Sequence, residues 1–188
     1  MTVAHSLPNV LSTTRLLLVL VLLALAWFGY RGAFLACLAA ALTTDAIDGF
    51  LARRFHLESP LGARLDSWAD ALLSWLTPLG VWWLWPDLVR REAPYVAAMI
   101  LSYVVPSVAA YLKFGALPAY HTRLAKLAAV AMGAGGLILL LGGPAWPFRA
   151  ATVLVVCEAL EELAITAVLR APRSNIASLG HALRGADQ

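Results

Sequence analysis

The sequence predicts an all-α integral membrane protein with six transmembrane helices and both termini in the cytoplasm, residues 1–188 forming a single transmembrane domain. Three observations lead there. With 61% hydrophobic residues, 13% charged residues and a mean hydropathy of +0.77, the chain is too apolar to cover itself with a water-soluble surface. Six apolar runs are each long enough to cross a bilayer as helix. The cations are unevenly divided between the two sets of connecting segments, which orients those runs.

The runs extend from Pro8 to Phe28, Ala33 to Arg53, Gly62 to Trp85, Pro94 to Phe114, Arg123 to Leu141 and Pro147 to Leu169. Helix breakers separate them: Gly29 and Gly32, Pro60, Pro86, Pro118 and the Gly142-Gly143-Pro144 turn. The first run competes with a signal-peptide reading, but it lacks a clear small-residue cleavage site and is long enough to remain in the membrane. Arg15, Arg53, Arg54, Arg64, Lys113, Arg123, Lys126, Arg170, Arg173 and Arg184 fall on one side; Arg31, Arg90, Arg91 and Arg149 fall on the other. The richer side is the cytoplasmic one. Trp27, Tyr30, Trp82, Trp83, Trp85 and Trp146 gather at the opposite ends, as an interfacial belt does. The net charge of +3 and pI near 9.1 report topology and anionic-lipid contact and not nucleic acid, because the cations lie in short clusters between apolar spans. Cys37 and Cys157 lie inside apolar runs without metal-ligand spacing and read as small buried hydrophobes. After Pro172 the tail is polar enough to form a surface segment or to be partly disordered.

Against this background stand four aspartates, Asp45 and Asp48 near the end of the second run and Asp66 and Asp70 near the start of the third. Spacings of i,i+3 and i,i+4 put each pair on one helix face. Carboxylates at membrane depth are costly and mark ion or substrate sites. Four that converge repel one another unless divalent cations neutralise them. A hairpin through Pro60 brings both pairs to a similar depth, where they could hold two ions that clamp a diphosphate and stabilise charge on the attacked phosphorus and the leaving group. Hard oxygen ligands without His or Cys favour Mg²⁺ or Mn²⁺ over zinc. Gly49 removes a side chain beside the carboxylates, which allows a nucleotide close to the backbone. Gly62 does the same or permits close helix packing.

The spacing D-x2-D-G-x2-A-R-x8-G-x3-D-x3-D is met by Asp45, Asp48, Gly49, Ala52, Arg53, Gly62, Asp66 and Asp70, and it resembles the signature of the CDP-alcohol phosphatidyltransferases. Pro8-Asn9 and Arg15 are similar to that family's N-terminal pattern, as are six spans with cytoplasmic termini. The resemblance implies an enzyme of phospholipid biosynthesis that transfers a phosphatidyl group from CDP-diacylglycerol to an alcohol and releases CMP. It implies that Asp45, Asp48 and Asp66 are the main metal ligands. Asp70 would take the acceptor's proton, with or without touching the second ion. Gly49, Ala52 and Arg53 would line the cytidine diphosphate site. Membrane lipid is the expected surrounding, a bacterial inner membrane the expected location, and a homodimer an open option. In family members that use glycerol phosphate, Pro often follows the third aspartate and Lys the fourth. Ser67 and Ala71 stand at those places, closer to the serine, inositol or choline branches, with glycerol 3-phosphate (phosphatidylglycerophosphate synthesis) as the alternative acceptor.

Rival readings exist for each feature. An isolated D-x-x-D can be a solvated helix end or a partner of Arg53, Arg54 or Arg64; the complete pattern argues against that, while Arg54 reads as purely topological. Arg123 and Lys126, i and i+3 at the start of the fifth run, either bind an anionic part of the acceptor or donor or snorkel to the interface. His121 beside them reads as interfacial. Glu158, Glu161 and Glu162 lie well inside the sixth run and call for a cavity or a cationic partner, with Lys126, Arg123 or another helix's polar group as the structural option and acceptor recognition as the functional one. Outside the family, an intramembrane prenyltransferase would need more helices, and a divalent-cation transporter leaves Gly49, Ala52 and Arg53 unexplained.

Overall fold

The computed structural model describes the backbone of residues 6–55, 60–115, 120, 122–169, 171, 176 and 178–186, and within these the side chains outside 6–16, 45–55, 60–71 and 184–186. The described residues form eight helices and no strand: α1 (Ser6–Trp27), α2 (Arg31–Phe55), α3 (Pro60–Leu84), α4 (Pro86–Arg91), α5 (Ala93–Phe114), α6 (Arg123–Leu140), α7 (Trp146–Val168) and α8 (Leu179–Ala186). The six long ones match the six apolar runs to within two residues at every end. They fall into two compact units, Met1–Arg91 and Glu92–Gln188.

In the first unit α1 packs against both α2 and α3. Val19, Leu22 and Ala26 bury a stripe of α1 at i, i+3 and i+7, and Phe34, Leu38 and Ala41 bury one of α2 at i, i+4 and i+7. Gly29 makes the α1–α2 turn at φ +78°, with the Tyr30 N–H donating to the Leu25 carbonyl. Gly32, expected to act as a breaker, lies inside the first turn of α2 instead, since Gly29 alone supplies the left-handed residue the turn needs. Pro86 likewise opens the short helix α4, where a missing N–H costs nothing.

In the second unit α7 packs against α5, α6 and α8. Close approach of α6 and α7 depends on Gly135, where a Cβ would stand 2.9 Å from the backbone nitrogen of Phe148. The Gly142-Gly143 turn ends α6 as expected, with Gly142 at φ +83°. α5 and α6 are long and apolar enough to cross a membrane; shorter apolar helical stretches cover Leu17–Trp27, Arg31–Thr44 and Leu72–Leu84. Few residues of α5 and α6 are buried, whereas Leu112, Leu127 and Val130 stand largely exposed. A helix with so much outward apolar surface suits lipid better than water. Thr43, Thr44 and Ser107 return their hydroxyls to carbonyls of their own helices, as polar groups in apolar surroundings must.

The tail beyond Pro172 contains a packed helix. α8 turns Leu179 and Ala182 toward a buried cluster of Tyr120, Ile165, Leu169 and Ile176. Apolar residues three apart give this short segment one buried side despite its polar composition.

Candidate active site

The aspartate pattern straddles the α2–α3 junction. Asp45 and Asp48 lie in the last three turns of α2, and Asp66 and Asp70 in the first three turns of α3. Gly49, Ala52 and Arg53 follow on α2, and Gly62 precedes the second pair on α3. The side chains of all these residues lie outside the described ones. Their placement rests on backbone.

A contact far from the aspartates fixes how the two helices run. Gly80, near the end of α3, lies so close to Phe34, near the start of α2, that a Cβ on it would stand 2.8 Å from the ring and 3.2 Å from the Cβ of Ala26. Phe34 also meets Trp85, with ring centroids 5.9 Å apart, and the Arg31 guanidinium stands 5.6 Å from the Trp85 ring centre. The start of α2 therefore faces the end of α3, and the helices are antiparallel. Asp48 lies fourteen residues beyond Phe34 and Asp66 fourteen residues before Gly80. At 1.5 Å per residue each is ~21 Å from the shared contact. Asp45 and Asp70 are eleven and ten residues away, ~16 and ~15 Å by the same rise. Counted along the helices, Asp48 and Asp66 stand equally far from that contact, and Asp45 and Asp70 do so to within one residue.

The opposite end carries aromatics. Trp27 of α1 and Trp83 of α3 meet edge to face at 5.4 Å, and Trp27, Tyr30, Trp82 and Trp83 are exposed.

Arg123 and Lys126 open α6, in the second unit, and both are exposed. Neither has an ion-pair partner among the described residues. Thr122, fully buried, caps the helix: its Oγ1 accepts the N–H of Ala125 at 3.0 Å. The capped N-terminus adds its positive dipole end to the two cations, an arrangement suited to an anion. His121 lies outside the described residues.

The glutamates of α7 take other partners than Arg123 or Lys126 among the described residues. Glu161 Oε1 accepts the backbone N–H of Leu179 at 3.1 Å, so it caps α8. Glu158 and Glu162 stand one turn apart on α7. Sequence reasoning did not foresee the α8 cap because its acceptor lies eighteen residues upstream. It equally missed Lys113, which donates at 2.8 Å to the carbonyls of both Thr166 and Ala167 and so satisfies acceptors left open at the end of α7.

Comparison with known proteins decides the family. The CDP-alcohol phosphatidyltransferase profile matches residues 5–171. The chain belongs to that family. A CDP-diacylglycerol–glycerol-3-phosphate 3-phosphatidyltransferase of Pseudomonas fluorescens is 37% identical over 71 residues, 36% of this chain and 36% of the relative. A probable phosphatidylglycerophosphate synthase of Mycobacterium tuberculosis is 28% identical over 176 residues, 87% of this chain and 78% of the relative. A cardiolipin synthase (CMP-forming)/mitochondrial hydrolase fusion protein of Schizosaccharomyces pombe is 32% identical over 120 residues, 62% of this chain but only 19% of that protein. No solved structure gives a significant match. Membership in the phosphatidyltransferase family makes the chain an enzyme of phospholipid biosynthesis and leaves the prenyltransferase and transporter readings without support.

Proposed function

We propose that this phosphatidyltransferase moves a phosphatidyl group from CDP-diacylglycerol to glycerol 3-phosphate at the cytoplasmic face of a six-span membrane domain, releasing CMP. The observation that supports the reading is that Asp48 and Asp66, and to within one residue Asp45 and Asp70, are equally distant along their helices from the Phe34–Gly80 contact. Carboxylates spread over different depths could not converge on one diphosphate.

The acceptor assignment departs from the affinity that Ser67 and Ala71 suggest with the serine, inositol or choline branches. Two of the matching relatives carry glycerol 3-phosphate or phosphatidylglycerophosphate in their names, and the paired cations at the capped start of α6 suit a phosphate-bearing acceptor. The donor set of four carboxylates fits Mg²⁺ or Mn²⁺, with Asp45, Asp48 and Asp66 as principal ligands and Asp70 beside them. When bound, such ions supply positive charge to the diphosphate and the leaving group.

The remaining chemistry belongs to the chain. Asp70 accepts the proton of the acceptor hydroxyl as its oxygen bonds to the phosphorus that bears diacylglycerol. The bond from that phosphorus to the bridging oxygen breaks, and the oxygen leaves on CMP. Gly49 lets the cytidine diphosphate approach the α2 backbone, and Ala52 and Arg53 line it. Arg123 and Lys126 hold the phosphate of the acceptor.

The test is CMP release by the purified protein from CDP-diacylglycerol with Mg²⁺, offered glycerol 3-phosphate, serine, inositol, choline or phosphatidylglycerol. Glycerol 3-phosphate should give the highest kcat/KM. Preference for serine, inositol or choline would overturn the acceptor assignment, and full activity in excess chelator would overturn the metal requirement.

A further inference from the structure

Thr166, near the end of α7, is met by Lys113 from the last turn of α5 and by Tyr120 just ahead of α6. From one side the Lys113 ammonium donates to its carbonyl oxygen. From the other, the Tyr120 hydroxyl and the Thr166 Oγ1 share a buried hydrogen bond of 2.9 Å. Tyr120 is 2% exposed and Thr166 4% exposed. Two residues after Tyr120 comes Thr122, the buried cap of α6, then Arg123 at the helix's first position and Lys126 one turn on. Thr166, Tyr120 and Thr122 are thus each buried and hydrogen-bonded through their hydroxyls, which restrains the start of α6.

We propose that Tyr120 and Thr166 are a positioning pair for acceptor binding: their hydrogen bond sets the register of the α6 N-terminus and so aims Arg123 and Lys126 at the acceptor's phosphate. The inference rests on the acceptor reading above, in which those two cations hold that phosphate. Lost donor and acceptor contacts at a buried hydroxyl pair are felt as displacement of what the pair holds. What it holds here is the first turn of α6, not the aspartate hairpin. The pair should consequently affect the acceptor and not the CDP-lipid.

Steady-state kinetics of the full-length protein with Mg²⁺, varying glycerol 3-phosphate at saturating CDP-diacylglycerol and then the reverse, test this. Tyr120→Phe keeps the ring in its cluster and removes only the hydroxyl; KM for glycerol 3-phosphate should rise about fivefold, the scale of one buried hydrogen bond, with kcat and KM for CDP-diacylglycerol unmoved. Thr166→Val should do the same, and the double variant should be no worse than either single one, because the same bond is lost once. Thr166→Ser retains the hydroxyl and should retain wild-type KM. Thr152→Val removes another buried hydroxyl of α7, one that serves only the Phe148 carbonyl of its own helix, and should leave KM unchanged. Arg123→Gln separates the two levels of argument. If it raises KM for glycerol 3-phosphate while Tyr120→Phe and Thr166→Val do not, the positioning role is refuted and the acceptor site stands. If Arg123→Gln leaves KM unchanged, or wild type releases no CMP with glycerol 3-phosphate, the acceptor reading and this inference fall together. Equal loss of kcat and of both KM values in Tyr120→Phe and Thr166→Val would reduce the pair to a structural prop and overturn the proposal.

Discussion

The Arg149 guanidinium grips the Glu92 carboxylate in a two-pronged pair, Nε to Oε2 at 2.9 Å and Nη2 to Oε1 at 3.0 Å. Glu92 precedes α5 and is almost fully buried, while Arg149 sits in the first turn of α7 and stands 5.2 Å from the Tyr95 ring centre. A residue that the charge count treats as a marker of orientation thus fastens the starts of two helices. Arg149→Met takes the guanidinium from a buried carboxylate and should lower Tm by several degrees. Arg149→Lys should recover only part of the loss, because an ammonium cannot reproduce the planar fork. The double variant Arg149→Met/Glu92→Met should be more stable than Arg149→Met alone. Thermal unfolding in detergent measures all three, and an unchanged Tm for Arg149→Met would remove the pair from the account of stability.

The roles proposed for the aspartates, proton transfer and ion binding, can be separated by substitution. Asp70→Asn preserves shape but not basicity, and kcat should fall by about 10² or more, within the range for loss of a general base. Binding of CDP-lipid in the presence of Mg²⁺ should survive, because Asp45, Asp48 and Asp66 remain. Asp48→Asn should lose metal and donor binding together. Wild-type turnover by Asp70→Asn would rule out the base role, and loss of donor binding as complete as in Asp48→Asn would make Asp70 an essential ligand.

Neighbouring glycines of α6 make opposite predictions. At Gly135 an added methyl would stand 2.9 Å from backbone atoms of Pro147 and Phe148, which cannot rotate away. Gly135→Ala should therefore destabilise by ~1–3 kcal/mol, the usual cost of overpacking. Gly136 has nothing within 4 Å of the corresponding position, so Gly136→Ala should match or exceed wild-type stability through helix propensity. Denaturant or thermal titration of the two variants side by side decides the matter; equal stability would remove the tight α6–α7 seam.

Orientation is measurable in intact cells. In a background lacking Cys37 and Cys157, single cysteines at Ser59 and Gln188 should react with impermeant reagent only from the cytoplasmic side, and one at Asp87 only from outside. Labelling of positions 87 and 188 from the same side would refute the six-span count.

Most of the helical plan is readable in the chain because long apolar runs end at glycine and proline. α1, α2, α3, α5, α6 and α7 all come from that one signal. α4 escapes it, being six residues long, although Pro86 and Asp87 at its start and Arg90 and Arg91 at its end are ordinary helix-end residues. α8 is harder still. Its cap comes from Glu161 and its apolar support from Tyr120 and Ile165, neither of which is local. The candidate site divides the same way: the aspartate pattern is a matter of spacing within 26 residues, whereas the Tyr120–Thr166 pair joins positions 46 apart, which no local period encodes.

The Phe34–Gly80 contact makes the α2–α3 hairpin a lever. With the Asp48 and Asp66 backbone ~21 Å from that fulcrum, each degree of splay between the helices carries the two apart by ~0.4 Å. Catalytic groups tolerate displacements of only ~0.5 Å, so a bulkier residue at position 80, or thinning of the surrounding leaflet that lets the tryptophan-rich end open slightly, would be magnified into misalignment at the far end. On the proposed reading, coupling of this kind would make the geometry of the aspartates depend on packing at the far end of the same helices.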